Sequence, residues 1–97
     1  MKNELNSINI SLYLEDWKDM FAGLKGYLKG HGMERYECYV SPCKRYTLST
    51  VMEYNVDTNS SDVVWKLHED NERFESVGTH NVRYVEEVIE IMNRPQD

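Results

Sequence analysis

Between Tyr36 and Val77 apolar and polar residues alternate with a period of two, in four runs parted by turn formers. That period sends every second side chain to one face, so it restricts this region to half-buried strands rather than helices. The breakers "SPCK" at 41–44, "DTNSSD" at 57–62 and "EDNE" at 69–72 are short. Short breakers make hairpins, so neighbouring runs are antiparallel and the chain meanders.

The apolar faces then fix an expected register, because a one-residue slip would turn every side chain over. The inward set is Tyr36, Cys38 and Val40 in the first run, and Tyr46, Leu48, Thr50, Met52 and Tyr54 in the second. A three-residue loop, Pro42 to Lys44, puts both sets on one face, with Cys38 opposite Leu48 and Cys43 at the loop tip. Continuing, Val56 faces Val63, Tyr54 faces Trp65 and Met52 faces Leu67. A two-residue Asp70-Asn71 turn sets Leu67 against Phe74 and Trp65 against Ser76. On the outer face this register makes an acid–base–acid row of Glu53, Lys66 and Glu75, of the kind that stabilises cross-strand pairs. It also exposes a valine row, Val51, Val64 and Val77, with Tyr39 nearby, as a candidate apolar contact surface.

Helical spacing flanks the strands. In "LEDWKDMFAGLKGYLKGHG", Leu14, Trp17, Met20, Phe21, Leu24 and Leu28 recur at intervals of three and four, and Gly30 and Gly32 supply a stop. Upstream, Ile8, Ile10, Leu12 and Leu14 alternate like a strand, while Ser11 suits the cap of a longer helix; both readings stand. At the other end "NVRYVEEVIEIMNRP" predicts a helix burying Val82, Val85, Val88, Ile89 and Met92, capped by Thr79 or Asn81 and ended by Pro95. The expectation is an α+β fold in one domain over residues 1–97. It is a two-layer arrangement: a four-stranded antiparallel meander with an N-terminal and a C-terminal helix on one face, and room for an extra N-terminal edge strand.

Catalytic signatures are absent: there is no G-x-S-x-G, C-x-x-C, phosphate-cradling glycine loop or H-E-x-x-H. Cys38 and Cys43 fall in different environments, and His31, His68 and His80 lie on separate segments, so the pattern predicts no disulfide, metal site or cofactor. His68, outward near Arg73, Glu53 and Glu75, is the best acid–base candidate, against the plainer reading of a solvated histidine. Gly23, Gly26 and Gly30 lie off the apolar stripe of the first helix. Interior helical glycines cost about 0.5–1 kcal/mol each against alanine, so either another chain approaches there or the helix breaks near Gly23. The acceptor triplets "NIS" at 9–11 and "NSS" at 59–61 are read as chance matches.

Charge is the remaining lead. The formal net charge is −6, and it is uneven: residues 1–50 hold seven Lys/Arg against six Asp/Glu, residues 51–97 four against eleven. An acidic half disfavours direct contact with phosphates and favours a basic partner. The carboxylates gather as Asp57 and Asp62, as Glu69, Asp70, Glu72 and Glu75, and as Glu86, Glu87 and Glu90. No apolar run is long enough to span a bilayer, so no membrane contact is expected. The start "MKNELNSINI" lacks a signal peptide's basic-then-apolar order, which predicts a cytoplasmic chain with reduced thiols.

Small size, missing catalytic motifs and clustered acid together predict a non-catalytic binding protein that occludes a basic surface on a nucleic-acid-processing protein. In that profile the chain resembles small phage-encoded antagonists of restriction or CRISPR systems, and immunity proteins that block nuclease toxins. Two other classes are carried alongside. One is a small enzyme or ligand-binding domain on the sheet face around His68. The other is a self-associating subunit, such as a homodimer, joined through the valine row or the glycine side of the first helix.

Overall fold

The computed structural model describes residues 2–33 and 35–94. Five strands, β1 (Lys18–Asp19), β2 (Cys38–Val40), β3 (Tyr46–Asn55), β4 (Ser60–Asp70) and β5 (Ser76–Val82), form one sheet in sequential order. Every pairing is antiparallel, so the fold is the expected α+β meander with an extra N-terminal edge strand. Helices α1 (Ser7–Tyr13) and α3 (Val85–Met92) cover one face. Ile10, Val85 and Val88 of these helices, with Leu5 and Leu14 flanking α1, pack on Tyr39, Tyr46, Leu48, Leu67 and Val82 of the sheet. Leu48 and Leu67 face each other across the two longest strands and are both 0% exposed.

The register departs from expectation at each hairpin, for a local reason each time. At the first, the turn over Ser41–Lys44 forms: the Lys44 N–H donates to the Ser41 carbonyl at 2.9 Å, with Lys44 at φ 64°. Arg45 stays outside the β2–β3 pairing, however, its carbonyl accepting the Asp70 N–H of β4 at 2.8 Å, and the Ser41 N–H donates to the Tyr46 carbonyl at 3.0 Å. The loop therefore has an even count, and the face of β2 inverts. Tyr39, expected outward, is 4% exposed and stands opposite Leu48; Cys38 pairs with Ser49 on the outer face, and Tyr36 is exposed.

At the second hairpin the turn is Val56–Asn59, closed by the Asn55–Ser60 pair, with Asn59 at φ 51°. The asparagines make the turn, since Asn55 Oδ1 accepts the Asp57 N–H and Asn tolerates positive φ. β4 consequently slides four residues against β3 without changing face: Met52 meets Val63 and Thr50 meets Trp65. At the third, Asn71 Oδ1 accepts the N–H groups of Arg73 and Glu75, and Phe74 sits at φ 61°, 60% exposed, instead of in the core. β5 starts late in consequence, and Trp65 pairs with Val82. Val82, Thr79 and Asn81 are thus strand residues, and α3 begins at Val85 with its buried face on Val85, Val88 and Ile91. Ile89, expected inward, is exposed. Pro95, expected to end the helix, lies outside the described residues.

The single helix expected over residues 14–32 is divided. Helix α1 precedes it, capped by Asn6, whose side chain accepts the N–H groups of Ile8 and Asn9. The chain then turns, pairs β1 with β2 and resumes as a short 3-10 turn and helix α2 (Lys25–Gly30). Leu14, Trp17 and Leu28 are buried, while Met20 and Leu24 are exposed. Glycines at 23, 26 and 30 weaken a continuous helix here, and a side chain at any of them would meet nothing within 4 Å. Gly32, at φ 71°, closes the segment.

Candidate interaction surface

The two middle strands outrun their neighbours. β3 and β4 are ten and eleven residues long, while β2 pairs only with Thr47–Ser49 and β5 only from Trp65 onward. The hairpin from Val51 to Asp62 therefore projects from the body as a two-stranded arm, exposed at every position. At its tip Val56 is 79% exposed, and the Tyr54 hydroxyl bonds Asn59 Oδ1 across the turn. A ribbon that buries neither face gains little from the core, so its sequence is free to serve another surface. Strand length was the legible signal: a long second and third run beside a first run bounded by Gly32 and Pro42 implies an overhang.

The predicted carboxylates divide by what already holds them. Asp57 and Asp62 are exposed on the arm, where Glu53 stands opposite Asp62. Glu72 and Glu75 are exposed in the β4–β5 turn, at the other end of β4. Glu90 is exposed on α3, 3.8 Å from Arg94. The remaining four make internal contacts. Glu69 and Asp70 are half-buried and meet His80 and His68, each at 3.1 Å. Glu86 accepts the Asn3 N–H at 2.9 Å and Asn3 Nδ2 at 2.7 Å, tying the start of the chain to α3. Chiefly through that backbone N–H, its carboxyl is held below the usual carboxylate range. Glu87 accepts the N–H groups of Arg83 and Tyr84 and donates its own N–H to the Tyr84 carbonyl, closing the first turn of α3.

The valine row is also redistributed. Val51 and Val64 oppose each other directly at the base of the arm, but Val77 lies at the far end of β5, beside the β4–β5 turn. Tyr39 leaves the set altogether because it is core. Glu53 and Lys66 remain on one outer face, as the alternation implied, while Glu75 falls in the turn outside that row.

Around His68 both ring nitrogens are engaged, Nε2 with Asp70 and Nδ1 with Thr79 Oγ1 at 3.2 Å. Burial and then the charge of Asp19 raise the Cys38 thiol. Burial also pushes Cys43 upward, but its hydrogen bond with Ser41 and the backbone N–H and charge of Arg45 outweigh that, so it is lowered overall. Among the described residues no group of three or more His, Cys, Asp or Glu is placed to hold a metal ion, and no helix is long and apolar enough to cross a membrane.

Where β5 ends, a groove of about 640 Å³ runs along the side of the arm. Its floor is Asp62 to Trp65 of β4, and its walls are Asn81 to Arg83 with Glu53 and Glu87. Three carboxylates against one guanidinium make it acidic. Comparison with known proteins adds no relative to this picture: no family model matches the chain, and no curated protein or solved structure matches it significantly.

Proposed function

We propose that this chain is a non-catalytic binding protein whose acidic arm occludes a basic surface of a nucleic-acid-processing protein. The observation that carries the reading is the arm itself. It presents Glu53, Asp57 and Asp62 on a ribbon that contributes no fully buried residue to the core, beside a groove with the same sign of charge. Carboxylates spaced along an extended ribbon offer negative charge where such a protein binds phosphates, and they steer a basic partner from a distance. A cytoplasmic setting, with both thiols reduced, belongs to this reading.

The test is affinity capture from cells that naturally carry the protein, using the wild type and an Asp57→Lys/Asp62→Lys variant side by side. The expected result is a basic nucleic-acid-binding protein held by the wild type and lost by the variant, whose binding to its nucleic acid is blocked by the wild type alone. A captured partner that both forms hold and inhibit equally would remove the arm from the mechanism.

A further inference from the structure

The arm is open along its edge as well as on its faces. β5 pairs with β4 only from Trp65 onward, because beyond Val82 the chain turns away: the Arg83 carbonyl accepts the Leu5 N–H, and α3 begins at Val85. Among the described residues no backbone hydrogen bond reaches Ser60–Val64 from the β5 side. Every second residue of that stretch directs its N–H and C=O away from β3 into the groove. Five residues extend about 17 Å, a typical strand length, so the edge is long enough to template another strand.

We propose that the edge of β4 at Ser60–Val64 is a strand-addition site that takes an extended, lysine- or arginine-bearing segment of the partner protein. The inference rests on the reading of the arm as a surface for a basic partner, and charge selects the occupant. Glu53, Asp62 and Glu87 surround the edge against Arg83 and against Lys66, which pairs with Glu53 at 3.3 Å, so three carboxylates outnumber two cations. A second copy pairing edge to edge would bring these carboxylates against their own images, on chains of net charge −6; like charges directly opposite destabilise a sheet. A basic strand meets the same groups as counter-ions. Its backbone supplies affinity through the ladder, and its alternate side chains meet the acidic outer face.

The test uses the full chain and three labelled peptides: one alternating lysine with valine, the same peptide N-methylated at two adjacent central residues, and a glutamate–valine counterpart. Adjacent N–H groups point to opposite edges of a strand, so the double methylation blocks both edges at unchanged charge. Fluorescence anisotropy reads affinity, and amide hydrogen exchange reads Ser60–Val64. The lysine peptide is expected to bind and slow exchange in Ser60–Val64 at least about tenfold, the methylated form to bind at least about tenfold more weakly, and the glutamate form not to bind. Equal binding by the two basic peptides, without protection of Ser60–Val64, overturns strand addition and leaves the charged surface intact. Absence of binding by either basic peptide overturns the reading of the arm along with it. Protection of Ser60–Val64 that rises with protein concentration in the absence of peptide assigns the edge to a second copy and overturns the proposal.

Discussion

Glu53 and Lys66 stand four positions out of step in the β3–β4 ladder, yet their side chains meet at 3.3 Å. Glu53 opposes Asp62 and Lys66 opposes Ser49, so the ion pair runs diagonally over the Val51–Val64 pair at the root of the arm. It sets one charge of each sign on either side of these valines, and among the described residues Asp62, opposite Glu53, has no ion pair of its own. Half of this pair is well exposed, which limits its energy to about 0–1 kcal/mol. A double-mutant cycle with Glu53→Gln and Lys66→Met, read by thermal unfolding, should give a coupling inside that range that disappears at high salt. A larger, salt-independent coupling would mean that the pair is rigidly enclosed.

Glu86 makes acid stability local. Its carboxyl is held down in the folded state by the Asn3 N–H, so its contribution is fully present above the ordinary carboxylate value of 4.5 and is lost as pH falls through the lower folded value. The amide of Asn3 should therefore keep its hydrogen-exchange protection through the range where free carboxylates titrate and lose it only below that range. Glu86→Gln should lower this protection at neutral pH. Glu87→Ala acts elsewhere, uncapping α3 at a cost of about 1 kcal/mol. Glu90→Ala, on an exposed position, should change stability by less than about 0.5 kcal/mol.

The opposed leucines test the core. Leu67→Ala should destabilise by about 2–5 kcal/mol, because a fully buried side chain is replaced by a cavity between two central strands. Val77→Ala, exposed near the β4–β5 turn, should fall within about 0.5 kcal/mol of wild type. Denaturant unfolding distinguishes the two, and a comparable loss at both would place Val77 in the packing.

The period-two alternation made the sheet, its antiparallel order and the shared face of Glu53 and Lys66 legible in the sequence. Loop lengths were not legible, because they depend on which residue absorbs positive φ. Lys44, Asn59 and Phe74 do so here, and only asparagine announces that role. One uncounted residue, Arg45, was enough to carry Tyr39 inward and Cys38 outward. The slides of four residues at the second hairpin and six along most of the third keep the faces while moving the partners, until the bulge between Glu69 and Asp70 shifts Ser76 by one. That is how Glu53 and Lys66 kept their expected side of the sheet while Val77 parted from Val51 and Val64. The divided helix at residues 14–32 shows the same limit. Its apolar spacing fits a helix, but pairing of Lys18–Asp19 with Tyr39–Val40 satisfies the backbone of β2 instead.

The two thiols differ in exposure and in ionisation. Cys43 stands exposed in the β2–β3 loop with its thiol lowered, and Cys38 is half-buried with its thiol raised. Thiolate is the reactive form, so a maleimide at neutral pH should modify Cys43 well before Cys38 in the native protein, and both alike after unfolding. Mass spectrometry of the partly labelled protein, digested between the cysteines, gives the order directly. Equal native rates would mean that β2 opens on the labelling timescale.

The last prediction separates position from charge. Asp57→Lys/Asp62→Lys on the arm and Glu72→Lys/Glu75→Lys in the β4–β5 turn each change the formal charge from −6 to −2. All four sites are exposed, so each substitution should shift stability by no more than about 0.5 kcal/mol, and the two variants should unfold at similar temperatures. Their binding should nevertheless differ. With the lysine–valine peptide as probe, the arm variant loses contacts made in the complex, so its dissociation should quicken and its affinity fall by at least about tenfold. The turn variant loses only long-range attraction, so its association should slow at low salt and match wild type once screening shortens to about 8 Å near 0.15 M. Stopped-flow measurements across a salt series separate the two rates. If both variants weaken binding equally at every salt concentration, net charge alone governs the encounter, and the arm holds no special place in it.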